Sequence, residues 1–489
     1  MLCHISSLPN KYGIGSLGKE AYDFCDFLVK SKVKYWQILP LVQTGFGDSP
    51  YQSVCCNSGN PYFIDLTELC SQGLLTKEEL KEQEEENKNI DYATLYNKRY
   101  GVLRKAYSRF NLQNPDFLKF VEDGEFEDYA LFMALKTEYM GAFTSFPKEY
   151  KFRDKSALKK FKNQNRLEYL FWQFLQFEFF EQWKKLKAYV NEKGVKIIGD
   201  LPLYVAADSS DVWAKSHLFE LDEDLNPVCV AGVPPDYFSK TGQLWGNPLY
   251  DWEEMEKEDY AWWINRVKSA KRLYDVIRID HFRGLDRYFA IKNGEPTAEN
   301  GEWRIGPKLN LFNAIEKELG LVDIIAEDLG ILDDGVIELR DKTGFPGMKI
   351  LLFAFDGNDD NDYLPQNTAE NSVTYTGTHD NDTALGYLNT LGEKEFKTFK
   401  KQLRSALKSE DVSYPVVSRE DCAAALVICA LANKSNLSII PVQDLLLLDN
   451  DARMNTPSLS QGNWQFRLQK MPSRYHSATL RKYIKQFNR

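Results

Sequence analysis

Cysteine and histidine are scarce in this chain of 489 residues. It has eight cysteines, none of them in the CxxC spacing typical of zinc sites, and five histidines that form no cluster with them. A chain of this length buries enough apolar surface to be stable without disulfides. We therefore expect reduced thiols, a cytoplasmic protein and no zinc site.

An excess of positive charge is also absent. Lys and Arg number 61 against 71 Asp and Glu, a net charge of -10, which argues against nucleic acid as a main partner. The longest apolar run, at 423–432, is about half the length of a membrane span. The first residues have neither a basic segment nor a long apolar core, so we expect no signal peptide and no membrane partner.

Aromatic residues, in contrast, are plentiful. They make up 13% of the chain and include 10 Trp and 26 Tyr. A large mixed core accounts for most of them, but flat rings also stack well on the apolar faces of sugars. The composition thus suits an enzyme that binds a neutral ligand, with sugar as one candidate.

Eight short apolar segments, separated mostly by helical patterns, predict the strands of a (β/α)8 TIM barrel, an α/β fold. They span 2–5, 35–40, 195–200, 275–280, 323–327, 348–355, 372–378 and 437–442. A barrel core needs about 250 residues. Two insertions account for the rest of the chain: a mostly helical one at 42–194, and a loop-rich lid and cleft wall at 201–274. No repeat or low-complexity linker divides the chain, so we expect one catalytic domain over 1–489.

Carboxylates stand at the ends of four of these predicted strands. They are Asp200, Asp280, Glu327 and Asp380. The carboxyl ends of barrel strands meet at one mouth, so these side chains are expected to converge. Any one of them could be a structural ion pair. Four together are harder to explain in that way, because like charges cost energy unless function needs them or cations offset them.

The segment VIRIDHFRG at 276–284 is the most informative stretch. Alternation along a strand puts Arg278 and Asp280 on one face and His281 on the other. The Arg278 cation is expected to lower the pKa of Asp280, whereas the apolar strand before Glu327 is expected to raise the pKa of that acid. Cleavage of a glycosidic bond needs one ionised and one protonated carboxyl. Asp380 would then bind ring hydroxyls.

Two other kinds of binding site are alternatives, one for the acids and one for a glycine motif near the N-terminus. Divalent metal binding is an alternative for the acids, since Asp and Glu at barrel mouths hold magnesium in other chemistries. The positive charge of Arg278 beside Asp280 disfavours it. A phosphate site is the second alternative, because residues 13–18 have the form GxGxxG. No βαβ context or distal acid accompanies this motif, and we interpret it as a turn.

At these residues the sequence resembles the amylomaltases, the bacterial 4-alpha-glucanotransferases or disproportionating enzymes of glycoside hydrolase family 77 in the alpha-amylase clan. The resemblance covers nearly the whole chain. The motifs that carry it are HISSLP at 4–9, DSPYQ at 48–52, GDLP at 199–202, GVPPDYF at 232–238, LWGNP at 244–248, RIDHFRG at 278–284, AEDLG at 326–330, GFPGM at 344–348, THDN at 378–381 and RMNTP at 453–457.

The resemblance implies a role for each matching position. Asp280 is the expected nucleophile, Glu327 the general acid/base and Asp380 the transition-state stabiliser. Substrate binding is expected of Ser49, Tyr51, Asp200, Trp245, Arg278, His379 and Asn455. The resemblance further implies an α-1,4-glucan donor, a glucose or maltooligosaccharide acceptor, no metal or organic cofactor, and no C-terminal β-domain. In agreement with the last point, no strand-rich stretch follows the eighth predicted strand.

The implied reaction is a retaining double displacement through a covalent glucanyl-enzyme on Asp280, with the two carboxyls about 5–5.5 Å apart. Transfer requires that a bound sugar outcompete water. Loops around Tyr51 and Trp245 could hold an acceptor and exclude water. Two other functions stay open at this point: an α-glucan hydrolase with the same acids, and a non-catalytic glucan-binding scaffold.

Overall fold

The computed structural model describes residues 1–235, 239–330, 332–457, 459 and 461–489. Asp236, Tyr237 and Phe238, which end the motif at 232–238, lie outside the described residues. The strands are β1 Tyr35–Gln37, β2 Lys196–Leu201, β3 Cys229–Val233, β4 Gln243–Pro248, β5 Val276–Ile279, β6 Arg287–Lys292, β7 Gly301–Ile305, β8 Ile324–Ala326, β9 Gly347–Ile350, β10 Ser372–Tyr375 and β11 Leu437–Ile439.

Two parallel sheets carry the predicted strands. The first has the order β1-β2-β5-β8 and the second the order β11-β10-β9. Most residues of these strands are buried, as expected for parallel strands that are covered on both faces. Leu2 forms parallel bridges to Gln37 at the edge of the first sheet and to Pro441 beyond the second. Between the other two edges, the Ala326 amide donates to the Pro346 carbonyl at 3.0 Å. The architecture fits a TIM-barrel type of fold.

Most of the predicted strands are shorter than expected, and three of them give way to a helix or end early in a buried segment. The segment at 2–5 reduces to the bridge at Leu2, and a 3-10 helix, Ile5–Ser7, follows it. The segment at 348–355 ends as a strand at Ile350 and continues as the 3-10 helix Leu351–Phe353. The segment at 437–442 ends at Ile439. In each case the chain stays buried after the strand has ended, and an apolar run alone does not separate a buried strand from a buried helical turn.

The α-helices surround these sheets and fill the first insertion. They are α1 Lys19–Lys30, α2 Leu66–Ser71, α3 Lys77–Lys81, α4 Tyr92–Arg109, α5 Pro115–Glu122, α6 Glu127–Tyr139, α7 Lys148–Lys151, α8 Lys155–Gln164, α9 Arg166–Glu192, α10 Ser210–Ala214, α11 Trp252–Lys257, α12 Ala261–Leu273, α13 Lys308–Leu319, α14 Asp334–Thr343, α15 Ala384–Thr390, α16 Glu393–Ser409, α17 Arg419–Ala432, α18 Val442–Leu445 and α19 Arg474–Gln486.

Helix α9 is the long buried helix that the aromatic run at 171–183 predicts. Phe171, Phe174 and Phe179 on it have no exposed surface. Its buried polar side chains are bonded to backbone: Gln176 accepts from the Gly59 amide at 2.7 Å and donates to the Gly59 carbonyl at 3.0 Å. The helical insertion therefore fixes the loop that begins after β1. Among the described residues, no helix combines the length and apolarity that crossing a membrane requires.

The segment at 201–274, expected to be loop-rich, instead contributes to a third sheet. This sheet is antiparallel, in the order β4-β3-β6-β7, and two of its strands come after β5. Sequence analysis missed these strands because β3, β4 and β7 contain Gly or Pro and because β3 pairs with β6, which follows it only after β5. Gly232 illustrates the tight pairing, since a Cβ there would lie 2.2 Å from the Gln243 carbonyl oxygen. The described part of this sheet buries a small cluster of its own: Val230, Phe289, Ile291 and Ala298.

Candidate active site

A cleft of about 1340 Å³ opens where the barrel strands end. The antiparallel sheet forms one wall. Nine of the ten predicted site residues line it: Ser49, Tyr51, Trp245, Arg278, Asp280, Glu327, His379, Asp380 and Asn455. Residues that are far apart in the sequence are therefore brought together, as the barrel hypothesis requires.

Asp200 is the predicted site residue that does not line the cleft. Its side chain has no exposed surface. It accepts two hydrogen bonds from Arg278 Nη1, at 2.7 and 2.6 Å, and one from the Tyr51 hydroxyl at 2.7 Å. The register of β2 against β5 sets this contact, because Asp200 and Arg278 are paired positions. From this buried position, Asp200 thus fixes the side chains of Arg278 and Tyr51, both of which line the cleft.

Arg278 links this buried acid to Asp280. The same Nη1 donates to Asp280 Oδ1 at 3.1 Å, which confirms that Arg278 and Asp280 point the same way. The predicted lowering of the Asp280 pKa is wrong. Burial raises the pKa of Asp280 to about 7, and Arg278 offsets only part of that effect. Burial is the main cause of the rise, and the negative charges of Asp200 and Asp380 add to it.

Glu327 sits directly after β8, and its carboxylate is held by backbone. Oε2 accepts from the His281 amide at 2.6 Å, and Oε1 accepts from the Leu329 amide at 3.3 Å. Burial raises the pKa of Glu327 to about 8, with Asp280 adding to the rise and Arg278 opposing it. The direction agrees with the prediction from sequence. Arg278 bonds directly to Asp280, which favours the ionised form of that acid.

His281 does not point away from the site as strand alternation suggested. Its φ of 51° is left-handed, so the strand ends here and the alternation with it. The turn aims the His281 amide at Glu327 and leaves the ring in the cleft, edge-on to Trp245 with centroids 4.7 Å apart. Trp245 is in turn tied to the loop after β1, because Gln52 Nε2 donates to the Trp245 carbonyl at 3.2 Å.

Asp380 is held in the cleft by a second group of contacts. Asn455 Nδ2 donates to Asp380 Oδ1 at 2.6 Å, and His379 Nε2 is 3.3 Å from the same oxygen. Arg453 Nη2 donates to the Asp380 carbonyl at 2.6 Å. Burial lowers the pKa of His379, so the ring is neutral at pH 7. A neutral ring still donates one hydrogen bond and orients the carboxylate.

Aromatic rings cover this second group of contacts. The Tyr51 ring stacks on His379, with centroids 5.2 Å apart and an interplanar angle of 11°. Trp464 lines the cleft with its ring 5.6 Å from Tyr51. Sequence analysis missed Trp464 and Arg453 as site residues. Arg453 stands in a motif quoted for the resemblance, whereas Trp464 is a lone aromatic in a loop and gave no signal.

Two other sequence features are structural. The His4 ring is buried, accepts a hydrogen bond from the Leu39 amide at 3.2 Å and packs edge-on against Phe63. Residues 13–18 form a turn that leads into α1, as predicted. Glycine is required at Gly15, since a Cβ would lie 1.9 Å from the Ile5 carbonyl oxygen. Among the described residues, no group of three or more His, Cys, Asp or Glu is arranged to hold a metal ion.

Comparison with known proteins gives consistent matches. Residues 3–473 match the model of glycosyl hydrolase family 77, described as 4-alpha-glucanotransferase. A 4-alpha-glucanotransferase from Clostridium butyricum is 48% identical over 471 residues, which are 95% of this chain and 95% of the relative. One from Thermus thermophilus is 43% identical over 96% of this chain and 94% of its own length. The structure of amylomaltase from Streptococcus agalactiae in complex with acarbose has a TM-score of 0.94 at 38% identity, covering 100% of this chain and 99% of that one.

Proposed function

This chain belongs to the 4-alpha-glucanotransferase family, and on that premise we propose that it transfers α-1,4-glucan segments by a retaining double displacement. Family membership makes it a glycosyltransferase that acts on hexosyl units. The donor is an α-1,4-glucan, and the acceptor is the 4-hydroxyl of glucose or of a second glucan. The observation that carries the mechanism is the presence of Asp280 and Glu327 in one cleft, where the Arg278 cation bonds directly to Asp280 and burial favours the protonated form of Glu327.

In the first step Glu327 is protonated and Asp280 is ionised. Glu327 gives its proton to the glycosidic oxygen as the bond from that oxygen to the anomeric carbon breaks. Asp280 attacks the anomeric carbon and forms a covalent glucanyl-enzyme. The bond from the Arg278 cation to Asp280 supports this division, because it stabilises the ionised form of that carboxyl.

In the second step Glu327, now a carboxylate, takes the proton of the acceptor's 4-hydroxyl. The acceptor oxygen attacks the anomeric carbon and the bond to Asp280 breaks, so two inversions give net retention. Asp380 binds ring hydroxyls of the donor sugar as that ring distorts. Asn455 and His379 fix the Asp380 carboxylate, and Tyr51 offers an aromatic face to the donor.

Asp200 acts as a positioning residue in this scheme. It keeps Arg278 and Tyr51 in place, although the resemblance suggested a substrate contact. Trp245 contacts the His281 ring, and the His281 amide bonds to Glu327, so Trp245 supports the acid side of the cleft. Ser49, at the cleft surface, is proposed to bind the substrate directly.

We also infer that the two parallel sheets close into one eight-stranded barrel within a single domain over 1–489. The bridges of Leu2 and the Ala326–Pro346 hydrogen bond support closure on both sides. The helical insertion spans 42–194, and the second insertion, 201–274, contributes to the antiparallel wall. Beyond β11 the described residues contain the helices α18 and α19.

The activity is tested first with maltotriose. Transfer yields glucose and longer glucans with no gain in reducing ends, whereas hydrolysis adds a reducing end for each bond cleaved. A rise in reducing ends that matches substrate loss would favour the hydrolase. Absence of any turnover would favour the binding scaffold.

The covalent step is tested with α-maltotriosyl fluoride and Glu327→Gln. Fluoride leaves without a proton, so Asp280 is expected to be glycosylated, while the missing base stalls the second step. Mass spectrometry should then find three hexosyl units on the peptide that contains Asp280. The matched control, Glu327→Gln with Asp280→Asn, should carry no adduct. An adduct on another residue, or none under conditions where fluoride is released, contradicts the assignment of Asp280.

A further inference from the structure

Trp303 is an aromatic residue of the cleft that has no role in the scheme above. It lies on β7, in the antiparallel wall, and 42% of it is exposed although it lines the cleft. Its ring is held from two directions. The Arg283 guanidinium lies 4.4 Å from the ring centroid, and the Phe289 ring packs edge-on at 5.2 Å. Trp303 is therefore a fixed aromatic surface that faces solvent in the cleft.

The contacts of Arg283 show to which side of the cleft Trp303 belongs. Arg283 Nη2 donates to Asp333 at 3.3 Å, and Asp333 stands in the loop that follows Glu327. Arg283 also follows His281, whose amide holds the Glu327 carboxylate. Trp303 is thus held by Arg283, which belongs to the same segment that holds the proposed acid/base Glu327.

The rings near Tyr51 belong to the other side. Tyr51 bonds to Asp200, which shares Arg278 with Asp280, and it stacks on His379 beside Asp380. The cleft therefore has two aromatic surfaces, one supported with the nucleophile and one with the acid/base. The sugar whose oxygen exchanges a proton with Glu327 is the leaving glucan in the first step and the acceptor in the second.

We propose that Trp303 is the stacking platform of the acceptor glucan and a determinant of transfer over hydrolysis. This inference rests on the double displacement proposed above. The apolar face of an acceptor sugar packs on the indole, which positions its 4-hydroxyl next to Glu327. The proton of that hydroxyl passes to Glu327, the new bond forms at the anomeric carbon, and the bond to Asp280 breaks. Water can replace the acceptor hydroxyl in this step, but it makes no stacking contact with the indole.

The test separates the two steps with α-maltotriosyl fluoride as donor and maltose as acceptor. Fluoride fills no acceptor position, so the pre-steady-state burst of fluoride reports on the first step alone. Trp303→Leu is expected to leave the rate of the burst within about twofold of wild type. The maltose concentration for half-maximal transfer should rise about tenfold, which corresponds to about 1.4 kcal/mol. The share of donor lost to hydrolysis should rise with it.

Two further variants keep the result interpretable. Trp303→Phe retains a ring and should recover most of the maltose affinity. Ile305→Ala, on the same strand, alters a side chain that is 71% exposed and does not line the cleft, so it should behave as wild type.

An unchanged maltose requirement in Trp303→Leu overturns the inference, as does a loss of the burst itself. Loss of the burst would place Trp303 in the first step or in folding. If Glu327→Gln releases fluoride without forming an adduct on Asp280, the double displacement fails instead, and the two failures are thereby distinguished.

Discussion

Asp200→Asn is the substitution whose effects on stability and on pH dependence the structure predicts most specifically. The change removes a negative charge from a side chain with no exposed surface and leaves the Arg278 guanidinium buried. Breaking a buried ion pair from one side costs about 3–5 kcal/mol. Because Asp280 still accepts from Arg278 at 3.1 Å, we expect the lower end, a loss of about 3 kcal/mol in the free energy of unfolding.

The same substitution should change the pH dependence in a defined direction. The charge of Asp200 raises the pKa of Asp280, so its removal lets Asp280 ionise at lower pH. The acid limb of the profile of kcat/KM should therefore move to lower pH, even as kcat falls through the loss of order at Tyr51. A merely destabilised enzyme would lose activity without this shift.

Urea unfolding and the pH profile of maltotriose disproportionation measure both effects. Asp341→Asn is the matched control: its side chain is 63% exposed and pairs with Arg340 at 2.8 Å, so the stability should change by less than about 1 kcal/mol. The reasoning about Arg278 is refuted if Asp200→Asn is as stable as the control, or if its acid limb moves to higher pH.

Two other substitutions test the protonation of Glu327 and the strand pairing of the antiparallel sheet. Burial raises the folded-state pKa of Glu327 to about 8, so the stability due to its protonation is complete below pH 4 and lost as the pH rises through 8. The stability of Glu327→Gln relative to wild type should therefore rise by about 3 kcal/mol between pH 5 and pH 8 in urea unfolding, and an equal stability difference at the two pH values would contradict the buried acid. Gly232→Ala puts a methyl group 2.2 Å from the Gln243 carbonyl and should destabilise the protein by about 1–3 kcal/mol; unchanged thermal unfolding would mean that β3 and β4 do not pair as described.

Sequence patterns located the parallel strands and their terminal acids because those features are local. A run such as Val276–Ile279 can only be buried on both faces, and the polar residue that ends it must lie at the mouth. The convergence of Asp280, Glu327 and Asp380 follows from that rule. Features that depend on contacts between residues distant in the sequence cannot be predicted in this way.

The errors illustrate this limit. The Asp280 pKa was predicted from one neighbour, Arg278, whereas Asp200 on the adjacent strand competes for the same cation. The antiparallel sheet pairs β3 with β6 across the intervening β5, which no local window reveals. Trp303 gains its position from Arg283 and Phe289, and the sequence gives no sign of either contact.

The junction between Asp280 and the antiparallel sheet is very short. A single 3-10 helix, Phe282–Leu285, separates the end of β5 from the start of β6. The backbone amide of His281, just before this helix, donates to the Glu327 carboxylate. A tilt of this wall would therefore move the His281 amide and, with it, the Glu327 carboxylate that accepts from it. The position of the antiparallel sheet and the orientation of Glu327 are linked through this one turn.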